Sequence, residues 1–517
     1  MLRITILLTS IFALTNVCFA SETVNKPKVI INVVVDAMRN DDFMRYAKNY
    51  SNTGFNKLIN KGVYATNAHY SNIPANTMVS AATIITGSNP RQHGIIGKEW
   101  YANGQNFLTM AIDTSREITF PAPLYSIIDK IKYNDSASKV ISIAIDKNTA
   151  IISGDATTER VIWLDKNDGQ WKEVRGLEKE PWWLTILNNG KTKKRYDNTP
   201  WTATYSKEAY INQNSYKLFK KDTSKKSKHT KTITPIEETP FCNSYLNDCL
   251  SSLFTFDKIG KDTVCDFVTI NLGFSKSVYE KYGAKSIETE DMFYKIDKEI
   301  SRLINMLDHE VGKDEYLLIF TSASGMSDGT SKNEGGVFNQ TKAHVLVNAF
   351  LSAQYGVDNW VSGYKNNEIY FNHKTIYRRK VSLEELQNAV ANFIIKFNGV
   401  ETAYTATSLT RTSYYNGIDK RIYNSFNFIN SGDVIVVLKP NWLSVVNSDF
   451  SKNRCGNIAP WENIVSVPLL IYGKGVKHKT IRAKIDMTDI APTIAEIMGV
   501  SRPEKAIGNS FTNNIYN

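Results

Sequence analysis

Two side chains in this sequence are spaced as covalent or metal-assisted chemistry would need them. Asp36 ends a nearly unbroken apolar run, Val29-Ile30-Ile31-Asn32-Val33-Val34-Val35. Thr77 opens a stretch of small and apolar residues, Met78 to Thr86, that closes on Gly87. A short β-branched run, apolar on both faces, predicts a buried parallel strand with Asp36 at its carboxyl end, where open α/β sheets build their sites. The second stretch predicts a helix with Thr77 at or near its amino end, where free amides favour an anion beside the hydroxyl. The threonine is then a candidate nucleophile and the aspartate a candidate metal ligand. The plainer alternative is an N-capping threonine and a strand-end aspartate with no chemistry attached.

The elements that must hold this pair follow from the same patterning. Buried-strand runs recur at Lys139–Ile145, Asp266–Ile270, Tyr316–Phe320 and Val467–Tyr472. Helical stretches lie between them at Pro123–Ile131, Ser286–Leu307 and Thr488–Met498. In the second of these, Ile287, Met292, Ile296, Ile300, Leu303, Ile304 and Leu307 fall largely on one face. Strands alternating with helices predict an α/β protein with a doubly wound, mostly parallel sheet. Two regions break the pattern. Residues 155–262, rich in Trp, Asn and Lys, read as an insertion covering the sheet. Residues 348–429 read strand (Glu368–Phe371), helix (Ser382–Phe397), strand (Thr402–Thr405), a small α+β cap.

Four motifs add a resemblance: Val33-Val34-Val35-Asp36-Ala37-Met38-Arg39, Pro74-x-x-Thr77, Thr86-Gly87-Ser88-x-Pro90 and His93-Gly94-Ile95. Together they resemble the alkaline phosphatase superfamily, and most nearly its PafA-type members, relatives of the nucleotide pyrophosphatase/phosphodiesterases. Ile369-Tyr370-Phe371-Asn372, Ser431-Gly432-Asp433-Val434, Val467 to Gly473 and Asp489 to Ala495 extend the likeness through the chain. The resemblance implies a phosphatase fold over residues 21–517 with a cap beside the active site. It also implies that Asp36 is a zinc ligand and Thr77 the phosphorylated nucleophile.

The same resemblance implies five further zinc ligands, and this chain departs at each. Counting back from Ser286-Ile287-Glu288 puts Lys276 at an aspartate position and Glu280 at a histidine position. The Asp-His pair after a strand is replaced by Ala323 and Ser324, and the histidine before Val467-Pro468 by Ser466. A protonated lysine repels a divalent cation. The phosphate-contacting asparagine is replaced by Lys98. The family's Lys-x-Arg clamp is replaced by Asp146-Lys147-Asn148, which leaves Lys147 and Asn148 as the candidate substrate contacts. None of the seven histidines supplies a cluster. His309, beside Asp308, reads as an exposed helix end, and His93, before Gly94, as a turn residue.

Composition bounds the rest. The chain has 517 residues and a net charge of +11. Met1 to Ala20 reads as a cleavable secretory signal, with Cys18 poorly placed for lipidation, and no later run is apolar enough to span a bilayer. An exported protein in the periplasm or outside the cell is therefore expected. Cys242, Cys249, Cys265 and Cys455 could then form two disulfides, with Cys242–Cys249 the natural local pair. Lys217 to Lys231 carries seven lysines among polar residues and reads as a solvated loop, with a polyanion-binding patch as the sharper alternative. No aromatic interleaving supports nucleic acid as a partner.

Three functions follow. The leading expectation is a catalytically degenerate, phosphatase-like binding or assembly factor with no cofactor, whose partner is an unidentified protein or small molecule. The alternative is an active phosphatase or phosphodiesterase acting through Thr77 with Lys98 and Lys276 in place of metal. The third is a surface-binding protein acting through the lysine loop. Zinc belongs to the site only if the degenerate reading fails.

Overall fold

A computed structural model describes residues 26–102, 104, 107–112, 124–154, 157–174, 180–196, 199–211, 236–329, 335–446 and 455–516. The signal segment, the lysine loop and the predicted helix start at Pro123 lie outside the described residues.

The central sheet has nine strands: β1 (Val29–Val35), β2 (Val63–Ala65), β3 (Val140–Ala144), β4 (Arg160–Leu164), β5 (Trp171–Glu173), β6 (Asp266–Leu272), β7 (Tyr316–Ser322), β8 (Leu469–Gly473) and β9 (Lys479–Ile481). Their order is β9-β2-β8-β7-β1-β6-β3-β4-β5. The five neighbours β7-β1-β6-β3-β4 run parallel, flanked by antiparallel β8 and β5. All seven residues of β1 are buried. Side-chain alternation sends Val29, Ile31, Val33 and Val35 into one apolar cluster and Ile30 and Val34 into the other. A strand covered on both faces must be apolar on both, which is why β1 shows no polar alternation.

Helices supply the two covers. α1 (Thr77–Thr86), α2 (Lys147–Gly154) and α6 (Ile490–Met498) pack on the Ile30 side through residues such as Val79, Ile151 and Ile494. α3 (Phe241–Phe256) and α5 (Ile287–Leu307) pack on the other through Leu250, Ile296 and Ile300. α4 (Ser275–Tyr282) joins β6 to α5. The Ser286 side chain accepts from Thr289 N and caps α5, as its position before an apolar stripe predicts.

Part of residues 155–262 belongs to the sheet itself: β4 and β5 form an antiparallel pair on its edge, with Ile162, Leu164 and Trp171 buried. These strands, five and three residues long, are too short to show a period in the sequence. The cap is a four-stranded antiparallel sheet ordered Val361–Lys365, Glu368–Phe371, Val434–Leu438, Val400–Thr405, covered by helices at Gln340–Tyr355 and Leu383–Ile394. It has its own apolar core, and the strand at Val434–Leu438 carries it past residue 429.

The Cys242–Cys249 pairing does not form. Both residues lie on α3 and all four described cysteines are free thiols. Seven residues of helix separate them by about 10 Å along the axis, beyond the reach of a disulfide. Among the described residues no helix is long and apolar enough to cross a membrane.

Candidate active-site cleft

Parallel strands in register deliver their carboxyl ends to one place. Val35 pairs with both Leu272 and Ser322, and Ala144 with Asn271, so Asp36, Gly273, Phe274, Lys276, Ala323 and Asp146 emerge together. There they line a cleft of about 400 Å³ with Thr77, Thr149, Lys166, Glu238 and Glu280. The expected pair, Asp36 and Thr77, does meet, and Lys276, Glu280 and Ala323 share its cleft.

Asp36 is held by the turn between β6 and α4. Its Oδ1 accepts from Ser275 Oγ and from the Lys276 amide at 3.1 Å, while Ser275 Oγ accepts from Ala37 N at 3.2 Å. That turn requires Phe274 at φ 78°, ψ −36°, a strained conformation for a residue with a side chain. The strain is held by Asn243, which bonds both the amide and the carbonyl of Gly273 at 3.1 Å, and by Trp201 edge-on to Phe274 at 5.2 Å. A Cβ at Gly273 would come 2.9 Å from Ile145 Cβ, so the close strand approach selects glycine.

Burial raises the pKa of Asp36 to about 6, with Ser275, the Lys276 amide and the Lys276 charge pulling it back down. Burial likewise raises Glu280, and the Lys276 charge opposes it. Lys276 thus acts electrostatically on both carboxylates, although no ion pair within 4.0 Å joins it to either among the described residues.

Thr77 is the first residue of α1 rather than its cap. Asn76 caps the helix, accepting from Met78 N at 3.0 Å and Val79 N at 3.1 Å. The Thr77 hydroxyl is therefore free for another partner and lies 2.9 Å from Thr149 Oγ1. Thr149 in turn donates to Asp146 Oδ1 at 3.1 Å, and its amide donates to the same oxygen at 3.0 Å. With the Thr149 proton committed to a carboxylate, the Thr77 proton points to Thr149. Lys166 lies 3.7 Å from Asp146.

Five expected site residues are placed elsewhere. Lys98 is exposed and does not line the cleft; the segment after it is committed to the cap, with Lys365 on Glu99 at 2.6 Å and Asn366 on the Glu99 carbonyl at 2.9 Å. Lys147 turns its ammonium to the Trp163 ring, 5.3 Å from its centroid. Asn148 also lies outside the cleft, because it is Asp146, just before α2, and Thr149, three residues on, that share the cleft face. Ser324 is buried beneath the site, accepting from Asn457 at 3.1 Å. Ser466 sits across an isolated bridge from His69 and does not line the cleft. Burial and the Lys484 charge hold that imidazole below its ordinary pKa.

Sequence reasoning missed Thr149, Ser275, Lys166 and Glu238. The Asp146-x-x-Thr149 spacing is a legible helix-start signal, whereas Lys166 and Glu238 arrive from segments whose placement no local pattern reveals. His93 is not a simple turn residue. It ends a short helix before Gly94 at φ 80°, yet it is buried, with Nδ1 accepting from Ile95 N at 3.0 Å and Nε2 3.3 Å from Thr83 Oγ1. His309 stands exposed on a π-helical turn, Asp308–Gly312.

A bimetal zinc centre needs several carboxylate and imidazole donors converging on each ion. The positions in question carry Asp36, Lys276, Glu280, Ala323, Ser324 and Ser466. Among the described residues no three His, Cys, Asp or Glu side chains converge as a metal site would. An ammonium, a methyl group and two hydroxyls beside two carboxylates do not fit a pair of divalent cations.

The fold is that of an alkaline phosphatase-like α/β protein. A family model described as type I phosphodiesterase / nucleotide pyrophosphatase matches residues 30–457, and the chain belongs to that family. It is 26% identical to alkaline phosphatase PafA of Elizabethkingia meningoseptica over 95% of both chains. It is 28% identical to a Myroides odoratus protein named calcium-transporting ATPase, again over 95% of both. The crystal structure of wild-type alkaline phosphatase PafA superposes with a TM-score of 0.82 at 23% identity, covering 95% of this chain and 99% of that one. The chain is thus a PafA-type relative within the alkaline phosphatase superfamily.

Proposed function

We propose that this protein is an exported, catalytically degenerate member of its family that uses the old active-site cleft to bind a ligand. The observation that carries the reading is the set of side chains at the family's ligand positions in the cleft with Thr77: Asp36 and Glu280 beside the charge of Lys276, with Ala323 where the resemblance calls for a further ligand. A threonine hydroxyl is a poor nucleophile unless a base or metal activates it. Lys276 supplies a compensating charge for Asp36 and Glu280, and so takes over part of the electrostatic task of a cation. Export rests on the composition of Met1 to Ala20.

A second reading keeps Thr77 catalytic. It is favoured by the Thr77–Thr149–Asp146 chain, which links the hydroxyl to a carboxylate base without metal. Against it stands charge: Asp146 lines the cleft where a phosphoryl group would accumulate negative charge, and Lys98 and Lys147 do not reach it.

The test is hydrolysis of an aryl phosphate and an aryl phosphodiester by the purified protein, with and without added zinc, beside Thr77→Ala. The reading predicts identical, background rates for the two proteins. Turnover abolished by Thr77→Ala would overturn it.

A further inference from the structure

The charges lining the cleft say what kind of ligand it holds. Among the described residues four carboxylates, Asp36, Asp146, Glu238 and Glu280, face two ammonium groups, Lys166 and Lys276. Lys166 lies on Asp146, and the Lys276 charge is shared between Asp36 and Glu280. Carboxylates therefore outnumber cations by two, and like charges left facing one another favour a cationic guest over an anionic one.

Hydrogen-bond direction makes the same point independently. Thr149 gives its proton to Asp146, so Thr77 gives its proton to Thr149 and turns only lone pairs to the cleft. A ligand meeting Thr77 must donate. The walls between these acceptors are apolar, at Ile145, Leu272 and Phe274, and the volume of about 400 Å³ is that of a small-molecule site. The acceptors are also spread out: among the described residues no three acidic, histidine or cysteine side chains converge on one point. Spread acceptors beside apolar walls suit a guest larger than a single ion.

We propose that the cleft binds a small organic ammonium ion, with its N–H donors toward Thr77 Oγ1 and the Asp36 and Glu280 carboxylates and its apolar portion against Ile145, Leu272 and Phe274. This inference rests on reading the cleft as a ligand site without zinc, and it names the ligand class. It sets the chain apart from relatives named for phosphatase activity, because a phosphate ester would bring negative charge to a carboxylate-rich wall.

The test is calorimetric titration of the full-length protein at neutral pH with phenethylammonium, its neutral isostere phenethyl alcohol, phenyl phosphate and zinc chloride. Saturable one-site binding of the ammonium is expected, about tenfold or more tighter than the alcohol, as a desolvated charge pair requires. Glu280→Gln should weaken it by about fivefold, and Lys276→Met should tighten it, since a competing cation is removed. A misfolded variant cannot give that tightening, so the opposite signs separate electrostatics from damage. Equal affinity for the alcohol, tighter binding of phenyl phosphate, or weakening by Lys276→Met would each overturn the proposal. If the ammonium fails while zinc binding and turnover are also absent, this inference falls alone. Two zinc ions bound with hydrolysis would overturn the degenerate reading beneath it.

Discussion

Asp36 carries a carboxyl raised to about 6 from the ordinary 3.8, chiefly by burial. A carboxyl with a raised folded pKa costs stability wherever it is ionised. The cost is fully present above about pH 6 and vanishes below the unfolded value. Asp36→Asn should therefore stabilise the fold by about 1–2 kcal/mol at pH 7.5, the residual solvent contact of the cleft trimming the full linkage value. The gain should disappear in denaturant titrations below pH 4. His93 obeys the opposite rule. Burial and the Lys505 charge depress it to about 3, so its contribution is present above its unfolded value of 6.5 and is lost as pH falls from there. His93→Gln should flatten the fall in thermal midpoint between pH 6.5 and pH 4 that the parent protein shows.

At the scale of elements, legibility followed local pattern. The bounds of β1 read directly from its apolar run, and those of α5 from Ser286 and the one-sided stripe that follows it. Replacing the cap tests that reading: Ser286→Ala should cost about 1 kcal/mol, measured by urea unfolding. What local pattern could not show was direction. Lys147 sits beside the cleft in sequence, yet one residue of helical rotation hands the site to Asp146 and Thr149 instead. The resemblance puts Lys98 at a phosphate-contacting position, and the strand after it, tied to the cap through Glu99, carries it away. Edge strand β5 and its neighbour β4 are hidden because runs of three and five residues, with Lys166 and Asn167 between them, show no period. The cysteines failed for a related reason: a spacing of seven looks local in a chain but is two turns apart on α3. Alkylation of the denatured, unreduced protein should therefore label Cys242, Cys249, Cys265 and Cys455 alike, read by mass spectrometry.

At the scale of the whole molecule, the sheet would let a scaffold of this kind fold without the metal ligands, as the proposed reading requires. Asp36 at a strand end and Lys276 and Glu280 on α4 lie outside the two apolar clusters that hold the sheet together, whereas Ala323 joins the cluster on the Ile30 side. A lysine in place of an aspartate on α4 changes the charge of the cleft and removes no apolar core residue. What the rest of the fold must then do is balance the remaining carboxylates, and Lys276 acts on Asp36 and Glu280 from the same turn that holds Asp36 in place. On the proposed reading this balance is struck by side chains and not by zinc. Native mass spectrometry of the purified protein, taken through zinc-supplemented buffer and back, measures it most directly. The account predicts the mass of the bare chain. Two zinc ions retained per chain would contradict it.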